Sequence, residues 1–276
     1  MTVATTTPNA TLPAFARHEP VLTGATILFA LACLPVLMAM WADDRMFQDV
    51  DIWAKPLKFL ISTVTYFGMM VWVARWLPAG TLDYFWYRLW IALIVFCAAA
   101  ENIWITAAAA NGIGSHFNDS NTLMSVAYMM AGIMAVTLLT GTLAYGVLIW
   151  RNANTGLDPA FRLSVIFGLI VTFPLTFVIA GYLGGAGSHL VGGNASDAEG
   201  MILTGWARDG GDLRVGHFFA LHAMHIVPAC GWVLARLMPV GMAVPSVWAL
   251  CLGYTALTIF TFVQALMGAP FLPMIP

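Results

Sequence analysis

Apolar runs of about twenty residues recur along this chain with short polar connections between them, and a run of that length is what an α-helix needs to cross the hydrocarbon core of a bilayer. Six are plain: Val21 to Trp41, Trp90 to Ala110, Leu123 to Trp150, Leu163 to Leu183, Val215 to Leu237 and Val244 to Met267. A seventh, Leu57 to Trp76, holds Lys58 near its start and Arg75 near its end, and an interfacial helix is the alternative for it. Composition argues against the soluble classes, with 61% of residues hydrophobic and 9% charged, where soluble domains average roughly 45–50% and about 25%. The expectation is an all-α, polytopic integral membrane helix bundle of seven transmembrane helices. Residues 1–20 are read as a flexible polar lead-in, 21–276 as one transmembrane domain, and the first span as an uncleaved signal. The lipid bilayer is the partner this implies, and a net charge of −2 gives no reason to expect nucleic acid.

Orientation rests on basic residues in the connections. On the N-terminal side (side A) lie Arg17, Arg75, Arg88, Arg151, Arg162 and Arg236; on the opposite side (side B) lie Arg45, Lys55, Lys58, Arg208 and Arg214. Every short connection on side A has an arginine, which by the positive-inside rule predicts an N-terminus in the cytoplasm of a cell (inner) membrane and side B outside. Trp41, Trp53, Trp76, Trp86, Trp150 and Trp206 fall near predicted helix ends, as an aromatic belt does. Cys33, Cys97, Cys230 and Cys251 form no CxxC pair and read as packed thiols.

Chemistry concentrates in Gly210 to His225, GGDLRVGHFFALHAMH, where an acid and a base open an apolar helix that carries three histidines into the membrane. Ionisable groups at that depth are costly and mark function by default. Asp212 is placed to cap the sixth helix. On a regular helix His217 and His222 point about 140° apart, while His222 and His225 stand about 60° apart and can converge. His116 and His189 lie in side B loops, in two copies of G-x-G-S-H-x4-N (Gly112 to Asn121 and Gly185 to Asn194) that each follow a helix running from A to B. Glu101 is the lone acid inside an apolar helix, and Lys58 at similar depth is its simplest ion-pair partner, a metal or a histidine the sharper one.

Three functions fit these residues. The first is a haem b or redox-metal (Fe, Cu or Zn) protein for electron transfer. There His222 or His225 gives one axial ligand and His116, His189 or a fourth-helix methionine (Met129, Met130 or Met134) the other. Arg214 and Lys58 hold the propionates, and a quinol or periplasmic protein is the redox partner. The second is a zinc-dependent hydrolase of a lipid-like substrate, with ligands from His222, His225 and His116 or His189, and Glu101 or Asp212 as general base. Across these metal readings the ligand candidates are His116, His189, His217 and His222, and the catalytic candidates Glu101, Asp212 and Arg214. The third is a non-enzymatic carrier or a subunit of a larger membrane complex, for which a broken helix in the Gly-rich segment Gly181 to Gly193 would speak. The last span lacks the lysine of a retinal protein, and it lacks the late H-x-x-x-H of the seven-helix zinc hydrolases of the alkaline ceramidase and progestin-receptor-like type.

Overall fold

The computed structural model describes residues 18–194 and 196–273, so nearly all of the lead-in expected over residues 1–20 lies outside the described residues. The spans are α1 (Pro20–Ala42), α2 (Ala54–Val73), α3 (Phe85–Ala110), α4 (Thr122–Arg151), α5 (Pro159–Gly185), α6 (Leu213–Leu237) and α7 (Val240–Leu266). All seven are long and apolar enough to cross a membrane, including α2, which continues through a 3-10 turn to Trp76. The interfacial alternative for that segment is therefore not needed. Two short antiparallel ladders sit in the long connections of side B: β1 (Met46–Phe47) with β2 (Val50–Asp51), and β3 (Leu190–Val191) with β4 (Gly211–Asp212).

Helix ends follow local chemistry. Asp158 caps α5 by accepting from the amides of Ala160 and Phe161, with Pro159 at the first helical position, where its missing N–H costs nothing. Asn121 caps α4 through the amide of Met124. α3 begins five residues before the apolar run does, because Arg88 remains at the surface and pairs with Asp83 at 3.1 Å rather than ending the helix. The C-terminal carbonyl of α3, at Ala110, accepts from Arg45 beside the β1–β2 hairpin. That arginine also grips Asp43 and holds its carboxyl well below the usual carboxylate range.

The bundle distributes polarity as a bilayer demands. Leu28, Phe96 and Ile103 are 66%, 65% and 69% exposed, facing outward, whereas Thr142, Thr172 and Thr258 are wholly buried. Those three hydroxyls donate to carbonyls one turn back on their own helices, so none of the three is stranded. Small residues set the closest approaches: a Cβ on Gly168 of α5 would stand 2.9 Å from the Ala223 carbonyl of α6, and Gly231 of α6 lies against Ser164 of α5. The α5–α6 pair therefore packs tightly. α5 runs unbroken to Gly185, so the expected sign of a carrier, a helix interrupted in the segment from Gly181 to Gly193, is not there. Trp41, Trp86 and Trp150 are exposed at span ends. Trp206 departs from the expected belt: it is buried, edge-on to Phe218 and Phe271. All four cysteines are free thiols.

Candidate functional site

The polar residues of α6 form one face. With Arg214 as origin, His225 lies about 20° away on the helical wheel, His217 about 60° to one side and His222 about 80° to the other. On α2, Lys55, Lys58, Ser62 and Thr65 likewise fall within about 80°. These two stripes face each other. At the mouth, the Lys58 ammonium donates to the Thr204 carbonyl (3.1 Å) and the Arg214 guanidinium to the next carbonyl, Gly205 (2.7 Å). Deeper, His225 Nε2 donates to the Thr65 carbonyl at 3.3 Å. Between these crossings Lys55, Lys58, Ser62 and Thr65 stay exposed, so the helices stand apart as a groove. From Lys55 to Thr65 it runs about 15 Å, half a bilayer. Below it, Met69 and Met70 of α2 and Met224 of α6 join one apolar core.

A saturated ion cluster builds the mouth. Asp212 caps α6 through the Arg214 amide, as its position in the sequence suggested, and also accepts from the amide of Ala207. Its side chain is fully buried, 2.6 Å from the Arg214 guanidinium. Asp197 takes the other edge of that guanidinium at 2.7 Å and accepts from His189 Nε2 at 3.1 Å. Burial alone would raise the Asp197 carboxyl; the His189 and Arg214 contacts outweigh it and hold the group at about 2. Asp197 gave no sequence signal, being one of several side B acids. The glycines of the GGDLR segment answer to space: a Cβ on Gly210 would sit 2.6 Å from the Gly192 carbonyl, and one on Gly211 would overlap the carbonyl of Ala265.

The remaining candidates scatter around this groove. His116 is packed between Phe59 and Tyr128 with Nδ1 at 3.1 Å from the Ser115 hydroxyl. Burial, then the nearby Lys55 charge, pushes its imidazole down to about 3. The two G-x-G-S-H copies do meet, through Phe117 and His189 at 6.4 Å between ring centroids. They do different work, however: Asn121 caps a helix, whereas the Asn194 amide donates to Asp209. Glu101 is buried on α3 and is coupled electrostatically to Lys55. The Lys58–Glu101 pair is not formed, since Lys58 turns toward the loop before α6. His222 and His225 lie side by side with ring centroids 5.1 Å apart. Two imidazole nitrogens, His217 Nδ1 and His225 Nδ1, are buried without a hydrogen-bond partner.

Among the described residues, no three His, Cys, Asp or Glu side chains converge as a metal site. The set His116, His189, His217 and His222 is thus spread over two loops and a helix, and the zinc triad from His222, His225 and a loop histidine is not assembled. A haem needs axial ligands from opposite sides. His222 and His225 share a helix, His189 is engaged by Asp197, His116 lies against Ser115, and Met129 and Met130 are exposed. Arg214, expected at a propionate, is filled by two aspartates.

A second polar cluster, on side A, escaped sequence reading. Glu19 is 1% exposed and accepts from Tyr87 at 2.6 Å, and Tyr87 shares a 2.6 Å hydrogen bond with Tyr145. Glu19 also caps α1 through the Leu22 amide. In the sequence it was one acid in a connection, and nothing there joined it to two tyrosines on other helices. Comparison with protein-family models, with curated proteins and with solved structures finds no match to this chain.

Proposed function

We propose that this multi-pass membrane protein binds a small polar or amphipathic molecule in the α2–α6 groove, with His217, His222 and His225 as its contacts. One observation carries the reading: His217 Nδ1 and His225 Nδ1 are buried and unpartnered. Such groups cost about 1–3 kcal/mol each when left so. His225 gives its Nε2 hydrogen to Thr65, so as a neutral imidazole its Nδ1 is a lone pair awaiting a donor. The fitting ligand carries O–H or N–H groups; a quinol hydroxyl is one such donor. Neutral imidazoles beside a bound hydroxyl can accept and return a proton, which is the chemistry the arrangement offers.

The test is to purify the protein gently from its membranes and examine it, with His222→Ala and His225→Ala, by native mass spectrometry, by visible spectra before and after dithionite, and by elemental analysis. A stoichiometric organic ligand lost in both variants while melting is unchanged supports the reading. A band near 400 nm that sharpens on reduction, with one iron per chain, replaces it with the haem b reading. Stoichiometric zinc or copper replaces it with metal chemistry. Wild type and variants that each appear only at the mass of their own bare chain overturn it.

A further inference from the structure

Resting on that groove, we propose that its mouth is an anion site: Lys55 and Lys58, at the start of α2, take the phosphate-type or carboxylate head of the ligand. Three cations meet there, Lys55, Lys58 and Arg214, and the carboxylates are unequally shared among them. Asp212 and Asp197 both close on Arg214 at 2.6 and 2.7 Å. Among the described residues no carboxylate lies within ion-pair distance of either lysine. Among the same residues Lys58 has one carbonyl, Thr204, and Lys55 has no side-chain hydrogen bond. Glu101, Asp197 and Asp212 act on these ammoniums only from a distance.

The backbone adds to this imbalance. A helix N-terminus is positive and favours an anion, yet both lysines sit in the first turn and a half of α2, where a cation is disfavoured. The Trp53 side chain makes no capping bond at that end, where the Asp51 carboxylate accepts from the Trp53 amide at 2.7 Å. The start of α6 is already taken by Asp212, which leaves the two lysines as the cations to be met. A fixed anion there satisfies both. The lysine stems suit the depth, since long basic side chains reach from apolar surface to headgroup level. The unpartnered imidazoles deeper on α6 point to the same occupant, whose polar body extends below its head.

The experiment uses the full chain in a neutral detergent, titrated with dioctanoyl phosphatidic acid, dioctanoyl phosphatidylcholine and inorganic phosphate, with binding read by calorimetry and by thermal shift. Phosphatidic acid is expected to bind and raise the melting temperature, phosphatidylcholine to bind at least tenfold more weakly, and Lys55→Gln/Lys58→Gln to lose at least tenfold in affinity. The Lys55→Arg/Lys58→Arg protein controls for folding and is expected to retain binding. Inorganic phosphate binding with the same lysine dependence supports the anion site and names a free anion as its source. Equal affinity in wild type and the glutamine variant, or no preference for phosphatidic acid over phosphatidylcholine, overturns it. Binding that needs the lysines but is indifferent to His222→Ala and His225→Ala keeps the anion site and removes the histidine reading.

Discussion

Two polar regions of this membrane protein, one on side A and one in the groove on side B, are built to opposite ends. On side A, Glu19, Tyr87 and Tyr145 close on one another: each hydroxyl and both carboxylate oxygens have partners at 2.6–3.3 Å. In the groove on side B, two buried imidazole nitrogens have none, and two ammoniums lack a contacting carboxylate. A satisfied network in low dielectric rigidifies the chain, and an unsatisfied one is a standing cost. The comparison separates a closed polar network from one with orphaned groups; Asn102 Oδ1, Arg162 Nε and Thr176 Oγ1 are likewise buried without a partner elsewhere in the bundle. Between the two stands the mouth cluster of Arg214, Asp212 and Asp197, which borders the groove but is as saturated as side A.

The sharpest way to break this comparison is Arg214→Leu. If the mouth is structural, the variant leaves Asp212 buried and unpaired and loses about 3–5 kcal/mol, visible as a large drop in melting temperature; an unchanged melt would place Arg214 with the functional groups instead. Tyr87→Phe strands Glu19 and Tyr145 and is expected to cost about 1–3 kcal/mol while leaving ligand binding on side B intact. Loss of binding there would mean that the clusters are coupled.

A pH series sharpens the contrast further. His116 is held neutral in the fold down to about pH 3, while an unfolded imidazole takes up its proton near 6.5. Its contribution is therefore full above pH ~6.5 and drains on acidification, by up to about 1.4 kcal/mol per pH unit, until about pH 3. His116→Phe is expected to flatten the fall in melting temperature between pH 6.5 and 5 relative to wild type, and identical pH profiles would refute this. The smallest effect is reserved for the groove itself. His225→Leu removes an orphan nitrogen at the cost of one long hydrogen bond, so stability should change by less than about 0.5 kcal/mol or rise. A loss of 2 kcal/mol or more would show that His225 serves the fold.

Much of this molecule was legible in its residues, for a reason particular to membranes. Backbone groups in hydrocarbon must be satisfied within the segment, so an apolar run such as Val21 to Trp41 has one spanning solution, a helix, and all seven runs took it. The Asp212 cap was legible too, because its partner is two residues away. What misled were features whose partners lie far along the chain. Lys58 looked like a mate for Glu101 by depth, but depth does not give rotation about the helix, and Lys58 faces Thr204, 146 positions on. Trp206 looked like a belt residue because its distance from a helix end was visible and its packing against Phe271 was not.

Sequence by itself thus determined the class, the seven spans, the Asp212 cap and the helix that carries the histidines, since each follows from local apolar length and short-range hydrogen bonding. Tertiary structure alone decided which face of α2 meets α6, that Asp197 takes the free edge of Arg214, and that Glu19 joins two tyrosines. Those outcomes depend on how the helices rotate and approach one another, as Gly168 against Ala223 and Gly231 against Ser164 illustrate for α5 and α6. Packing of that kind resides in pairs of residues distant in the chain, and no single stretch of sequence contains it.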